Sequence, residues 1–347
     1  MKKFLFILAG TIPWMMTSNA QNRLVLYEEF SGENCPPCAQ ANPGLMSLIE
    51  RNDSNIILIK YQSPIPSAGP IYNQYKPDVD NRRIYYQINF APSGRMDGII
   101  LGVGQQSAGH VGYLGQSSID SRAAVPSPFD ITATHRYSDN GDSVYVTVEV
   151  TCVAAYSGSL RLRTALVENL HYTQPPGTNG EREFHNVVRH MYPDANGTTI
   201  TNSWTPGTTE TYTISGPVPS YVIKGMDTRA VVWIQNDADK DVAQAAASTP
   251  VFPASVAAAT ATVGEVQVAP NPARNMATVS FTLQTAANVQ VQVLDAAGRL
   301  VSNTGSRQYA AGAHKVDINT QSLPAGLYHL RIFTGANSVT ERLSILK

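Results

Sequence analysis

The chain has 347 residues, with 25 Lys and Arg against 26 Asp and Glu, a formal net charge of −1 and 43% apolar residues. At about 100–150 residues per domain, this length holds two to three domains. The apolar share excludes disorder along the whole chain, and balanced charge leaves no footprint for nucleic acid or an anionic membrane as partner. Charged residues make up only 15%, well below the roughly 25% of an average soluble domain. Thr, Ser, Asn, Gly and Pro take their place, as suits a β-rich protein outside the cytoplasm.

Residues 1–20 read as a secretory signal peptide. Lys2 and Lys3 give the positive end, Phe4 to Ile12 a short apolar run, and Ser18-Asn19-Ala20 a small-residue cleavage site. That run is too short for a ~30 Å hydrocarbon core. No later segment approaches spanning length, so no transmembrane span is expected in the mature chain. No Cys stands at the cleavage point, which argues against a lipid anchor there.

The first folded piece, residues 21–124, alternates strand and helix signals. Arg23 to Phe30 (RLVLYEEF) reads as a strand, Pro36 to Arg51 as a helix and Asn55 to Tyr61 (NIILIKY) as an apolar strand. This alternation predicts an α/β layer with parallel pairing. Between strand and helix lies Cys35-Pro36-Pro37-Cys38. A thiolate at a helix N-terminus meets unsatisfied N–H groups and the positive end of the macrodipole, which lowers its pKa and makes it the attacking species. Cys35 is expected at an exposed lip, where it can attack a substrate disulfide, with Cys38 one turn later to resolve the mixed disulfide. Pro36 and Pro37 remove two backbone donors beside the nucleophile, which points toward the reducing end of the scale. Two other uses compete. A zinc site needs four ligands, and no second C-x-x-C exists; a static disulfide stapling the helix remains the stronger rival.

Beyond the C-x-x-C, this piece resembles the thioredoxin superfamily. Glu29 stands six residues before Cys35, where that family carries a buried acid that relays the resolving cysteine's proton. Pro43 falls eight residues after Cys35, where the family kinks its active-site helix. Ala91-Pro92-Ser93 looks like the cis-proline loop that flanks the dithiol and offers backbone to substrate. The resemblance implies an α/β thioredoxin-like domain with Cys35, Cys38, Pro92 and Glu29 as catalytic residues, protein thiols and disulfides as partners, and no cofactor. There are departures: Asn34 replaces the usual Trp, the stretch from Cys38 to Pro92 is long, and Gly102 to Gly115 (GVGQQSAGHVGYLG) is glycine-rich.

Residues 125–249 read as all-β. Phe129 to Tyr137 and Ser143 to Val153 alternate apolar and polar residues around Asp139-Asn140-Gly141, a hairpin signal. Leu160 to Glu168, Thr208 to Ile214 and Thr228 to Gln235 continue the pattern, predicting a two-sheet, immunoglobulin-like sandwich. Cys152 sits on one of these strands as a small core residue. His185 and His190, in EREFHNVVRHMY, are five apart rather than four, so they make no i, i+4 metal pair and are expected in a loop or at a sandwich edge. Gly102-x-Gly104 lacks the helix and acidic partner of a dinucleotide site, and no P-loop, G-x-S-x-G or paired-carboxylate motif occurs.

Residues 250–262 fall in a charge-poor run of Ala, Ser, Thr and Pro and are expected to be a linker. Residues 263–347 form a second sandwich-sized module. Its strands are Thr278 to Leu283, Val289 to Leu294, Lys315 to Ile318, Leu327 to Phe333 and Val339 to Ile345, with a turn at Asp295-Ala296-Ala297-Gly298. The module resembles the type IX secretion C-terminal sorting domain of Bacteroidota. The resemblance rests on Ala269-Pro270-Asn271-Pro272-Ala273, on Val293 to Val301 (VLDAAGRLV), and on Leu323-Pro324-Ala325-Gly326-Leu327-Tyr328 with Lys347 at the end. It implies export through the periplasm and across the outer membrane by the type IX machinery, then removal of the module with surface attachment or release. The three-part order is also similar to a thioredoxin-like, outer-membrane-associated family of Bacteroidota. The expectation is a secreted or surface-displayed protein that exchanges thiols and disulfides through Cys35 and Cys38. The alternative is a non-catalytic surface, adhesion or binding protein with a structural CPPC disulfide.

Overall fold

The computed structural model describes residues 22–138, 141–222, 228–251, 263–294, 300–304, 307–334 and 338–346. The signal peptide, most of the 250–262 linker, Asp139 and Asn140 of the hairpin turn and the 295–298 turn lie outside the described residues. The fold is mostly β and divides among several sheets.

Strand β1 (Val25–Ser31) leads through Cys35 into α1 (Pro36–Glu50), and β2 (Ile56–Gln62) returns parallel to β1, with Val25 opposite Ile56 and Ser31 opposite Gln62. Helices α2 (Pro70–Gln74) and α3 (Lys76–Tyr85) precede β3 (Ser93–Met96), which runs antiparallel on the other side of β1, and α4 (Gln116–Ala123) closes the segment. Both faces of this sheet are covered, which explains why NIILI is an unbroken apolar run. Val25, Tyr27, Ile56 and Leu58 meet Leu45 and Ile49 of α1 and Ile119 of α4 on one face. Leu26, Phe30, Ile57 and Ile59 point to the other.

The next segment supplies β4 (Phe129–Tyr137), β5 (Ser143–Cys152), β6 (Tyr156–Ser157), β7 (Leu160–His171), β8 (Glu183–Tyr192), β9 (Thr198–Thr199), β10 (Ser203–Trp204), β11 (Thr209–Pro217), β12 (Thr228–Asn236) and β13 (Val242–Ala247). Strands β11, β5 and β4 form one sheet, and their inward residues Val144, Val146, Val148 and Val150 pack with Leu160, Leu162, Val232 and Ile234 of a second. Cys152 is buried in this core. The second sheet continues past its own segment in the order β13-β12-β7-β8-β2-β1-β3.

The junction is β8, antiparallel to β7 and parallel to β2, with Val187 opposite Lys60. This corrects the expectation that His185 and His190 lie in a loop or at an edge: both belong to an interior strand. The reason is visible in the register. It shifts between Leu166 and Val167 and again between Glu168 and Leu170, and Asn186 has φ 55°. Such irregularities destroy the period-2 alternation by which a strand is recognised.

A buried ionic cluster ties the shared sheet together. Glu28 points away from α1 and accepts hydrogen bonds from Arg82 (2.8 Å), Tyr61 (2.9 Å) and Tyr86 (2.6 Å). Arg82 also donates to Gln235 of β12 at 3.1 Å, and Gln235 donates to Tyr86 at 2.7 Å. Strand β1, helix α3 and strand β12 are thus cross-linked by charge-assisted bonds in a site closed to water.

The C-terminal module has its own core, including Val279, Phe281, Val291, Leu330 and Leu343. One sheet holds Gln267–Ala269, Met276–Leu283 and Gly312–Asn319; another holds Ala287–Leu294, Gly326–Phe333 and Ser338–Ile345.

Arg82→Met leaves the Glu28 carboxylate buried without its cation. The expected cost is about 3–5 kcal/mol in urea unfolding. Glu28→Gln combined with Arg82→Met should cost less than Arg82→Met alone, and an additive loss would contradict the coupling.

Candidate functional site

Helix α1 begins at the C-x-x-C for reasons local to the sequence. Pro36 and Pro37 occupy first-turn positions whose amides have no intrahelical acceptor, so their missing donors cost the helix nothing there. Cys35 is the N-cap: its Sγ accepts from the Cys38 amide at 3.2 Å, and its carbonyl accepts from Ala39 at 3.3 Å. Cys35 and Cys38 are joined as a disulfide. Pro43 lies inside the same helix.

The Ala91–Pro92 peptide bond is cis, and the Ala91 carbonyl oxygen lies 3.7 Å from Cys35 Sγ. Two of the sequence-predicted residues, Cys35 and the Pro92 loop, therefore meet across a gap that brings the sulfur close to a polar backbone edge. Cys38 and Glu29 are both fully buried.

One expectation is corrected. Cys35 does not stand at an exposed lip; it is 1% exposed, while Pro36 and Pro37 are open to solvent. Backbone encloses it. Besides Ala91, the Gly32 turn is pressed against the 63–65 segment, where a Cβ on Gly32 would sit 2.7 Å from the Ile65 carbonyl oxygen.

Glu29 follows Glu28 in β1, so it points to the opposite, α1-facing side of the sheet. It is fully buried, with Oε2 3.1 Å from Lys60 Nζ, and Oε1 has no hydrogen-bond partner among the described residues. Burial pushes the Glu29 carboxyl above its ordinary range, and Lys60 pulls it back. Lys60 also donates to Asn42 Oδ1 of α1 at 2.8 Å, and Asn42 donates to Glu181 Oε1 at 2.6 Å. A polar chain thus leads from the buried acid to the loop joining β7 and β8.

Two participants escaped sequence reasoning. Asn34 is a hub: its Nδ2 donates to Ser67 (3.2 Å) and to the Ala68 carbonyl (3.1 Å), and its Oδ1 accepts from the Thr178 amide (3.0 Å). Glu33, 1% exposed, accepts from the Ile71 amide at 2.7 Å and fixes the start of α2. Neither had a spacing signal, because both act on loops far along the chain.

The histidines of β7 and β8 have partners within the fold. His190 Nδ1 lies 2.7 Å from Asp78 Oδ2. The His171 and His185 rings meet edge to face with centroids 6.4 Å apart. Among the described residues, no group of three His, Cys, Asp or Glu is arranged to hold a metal, and no helix is long and apolar enough to cross a membrane.

With this geometry in view, the chain is a β-rich, multi-domain protein built around one buried disulfide. Residues 267–346 match the secretion system C-terminal sorting domain. The protein is therefore handled by the type IX secretion machinery and exported to the cell surface or secreted. Among solved structures, HBP35 of Porphyromonas gingivalis shares the fold at TM-score 0.53 and 14% identity, covering 94% of this chain and 99% of its own. A protein from Agrobacterium tumefaciens reaches TM-score 0.43 at 12% identity over 66% of this chain and 95% of its own, too low to support a fold assignment. A domain of the outer membrane lipoprotein Omp28 from Porphyromonas gingivalis reaches only 0.26 at 14% identity, over 36% of this chain and 92% of its own. No curated protein matches the chain significantly.

Two outcomes test this description. Lys60→Met strands the Glu29 carboxylate, whose folded-state pKa then rises further above the reference 4.5. A raised pKa means stability that is present below about pH 4.5 and lost as pH rises through the folded value. The variant should therefore fall furthest behind wild type at pH 7, by about 3 kcal/mol, and the gap should close toward pH 4; a gap independent of pH contradicts the ion pair. Separately, deletion of residues 263–347 should leave the protein in the periplasm on cell fractionation, and continued surface display would refute the address.

Proposed function

We propose that this protein is a thioredoxin-like thiol–disulfide exchanger working outside the cell, with residues 21–124 as the redox domain and 125–249 as a β-sandwich fused to it. The observation that carries the reading is a disulfide whose N-terminal sulfur caps a helix and faces the carbonyl before a cis-proline. Supporting it, β2, β1 and β3 follow a parallel–antiparallel order with helices on both faces, and Glu29, paired with Lys60, is buried on the α1-facing side of β1. HBP35 supports only the fold.

The chemistry needs no cofactor. In the reduced protein, Cys35 thiolate attacks one sulfur of a substrate disulfide; that bond breaks, and the departing thiolate takes a proton from solvent. Cys38 gives up its proton, for which Glu29 is the acceptor in this scheme, and attacks Cys35 Sγ. The Cys35–Cys38 bond forms, the mixed disulfide breaks, and the substrate leaves as a second thiol. Two electrons pass from protein to substrate. Pro92 shapes the wall along which substrate backbone approaches.

The burial of Cys35 favours a second reading, a non-catalytic surface or binding protein in which Cys35–Cys38 is a fixed staple. Insulin reduction separates the two. Wild type should precipitate insulin with dithiothreitol as electron source, and Cys35→Ser should fall to background. Background activity in both proteins would leave the staple reading standing.

A further inference from the structure

The loop between β7 and β8 belongs to a segment more than 130 residues after the C-x-x-C, yet it closes on the backbone directly ahead of Cys35. The Asn179 amide donates to the Glu33 carbonyl and Asn179 Nδ2 to the Gly32 carbonyl, both at 3.1 Å, and the Thr178 amide donates to Asn34 Oδ1 at 3.0 Å. At Gly177 the approach is so close that a Cβ would lie 2.1 Å from the Glu33 carbonyl oxygen. Glu181 fastens the far end. Its carboxylate accepts from Asn42 of α1 at 2.6 Å and from Asn179 Nδ2 at 2.5 Å, and its amide donates to Asn179 Oδ1 at 2.9 Å.

These bonds hold the Gly32–Asn34 backbone that leads directly into Cys35. Gly32 is already blocked on its other side by the Ile65 and Ser63 carbonyls. Ala91 blocks Sγ from the cis-proline side. With Cys35 1% exposed and Cys38 0% exposed, the disulfide is closed to solvent with the loop in this position. The loop itself lies at the surface: Thr178 and Gly180 are exposed, and none of residues 171–182 is fully buried. Few buried contacts and solvent-facing hydrogen bonds are the marks of a segment that opens before the body of the fold does.

We propose that residues 177–181 form a latch over the dithiol, and that Asn179 and Glu181 set the rate at which Cys35–Cys38 exchanges with any thiol. This deepens the redox reading above, but the latch itself is tested on a small reductant rather than on a protein substrate.

The test uses the full mature chain and dithiothreitol. Its thiolate attacks Cys35 Sγ, the Cys35–Cys38 bond breaks, and the reductant's second thiol closes its own disulfide. Cys35 and Cys38 are left as thiols with two electrons and two protons gained. Timed quenching with iodoacetamide and mass spectrometry give the rate. Asn179→Ala and Glu181→Gln should each react at least about tenfold faster than wild type, since each loses at least one charge-assisted hydrogen bond. Asn196→Ala, at an exposed site away from the loop, should react as wild type does. Equal rates in folded Asn179→Ala, Glu181→Gln and wild type overturn the latch. Should those variants not fold, hydrogen exchange on wild type decides: the Thr178 and Asn179 amides should exchange far faster than those of β1, and exchange only with global unfolding overturns it. Faster reduction in the variants with no insulin turnover supports the latch and removes the exchanger; insulin turnover with unchanged reduction rates does the reverse.

Discussion

Strand β2 lies against β8 with Lys60 opposite Val187, and the arrangement of the site depends on that pairing. It merges two sheets whose strands come from separate stretches of chain. It brings the β7–β8 loop within hydrogen-bonding distance of Gly32, Glu33 and Asn34. It also places β2 in the interior, so that successive residues serve opposite faces. Lys60 turns toward α1 and meets Glu29; Tyr61 turns the other way and meets Glu28. Two adjacent carboxylates in β1 thereby acquire different characters. Glu28 has both oxygens hydrogen-bonded and works as a cross-link, whereas Glu29 keeps one oxygen unpaired on the α1-facing side of the sheet. Buried polar groups are costly unless satisfied, so the one left partly unsatisfied is the natural place to look for chemistry.

Much of this was legible in the sequence. The β4–β5 hairpin appears with Phe129 opposite Cys152 and Tyr137 opposite Val144, because regular alternation on a two-layer core leaves a clear period. Helix α1 was bounded by the proline pair at its first turn, and the cis bond falls at Ala91–Pro92, on which the resemblance had drawn. The sorting tail was recognisable because several spaced motifs must occur in order. What escaped was long-range. Nothing in EREFHNVVRHMY announces a strand that joins two sheets, since bulges and a positive φ at Asn186 scramble its pattern. Asn34 and Asn179, two ordinary polar residues, lie on loops that the shared sheet brings together from distant parts of the chain. The burial of Cys35 has the same origin: local sequence gave a helix cap, and distant backbone closed it.

Export gives the cysteines their context. Outside the cytoplasm, a pair at disulfide distance is expected to be oxidised, as Cys35 and Cys38 are. Cys152 stands apart, buried in the β4–β5 core with its Sγ 3.1 Å from the Ala154 carbonyl oxygen. Burial pushes that thiol upward, which keeps it neutral and a poor competitor for exchange. The odd cysteine count is thus accounted for by one disulfide and one buried thiol. The module at residues 267–346 has its own core and matches the sorting domain that directs export.

The account turns on whether the reduced Cys35 sulfur behaves as a helix-capped thiolate. The most direct measurement is the pH dependence of iodoacetamide alkylation at Cys35 in the reduced full chain. Titration clearly below the ~8.5 of a free cysteine is the predicted result. No reaction in the folded protein, or titration at or above that value, would contradict it and leave the bridge as a staple.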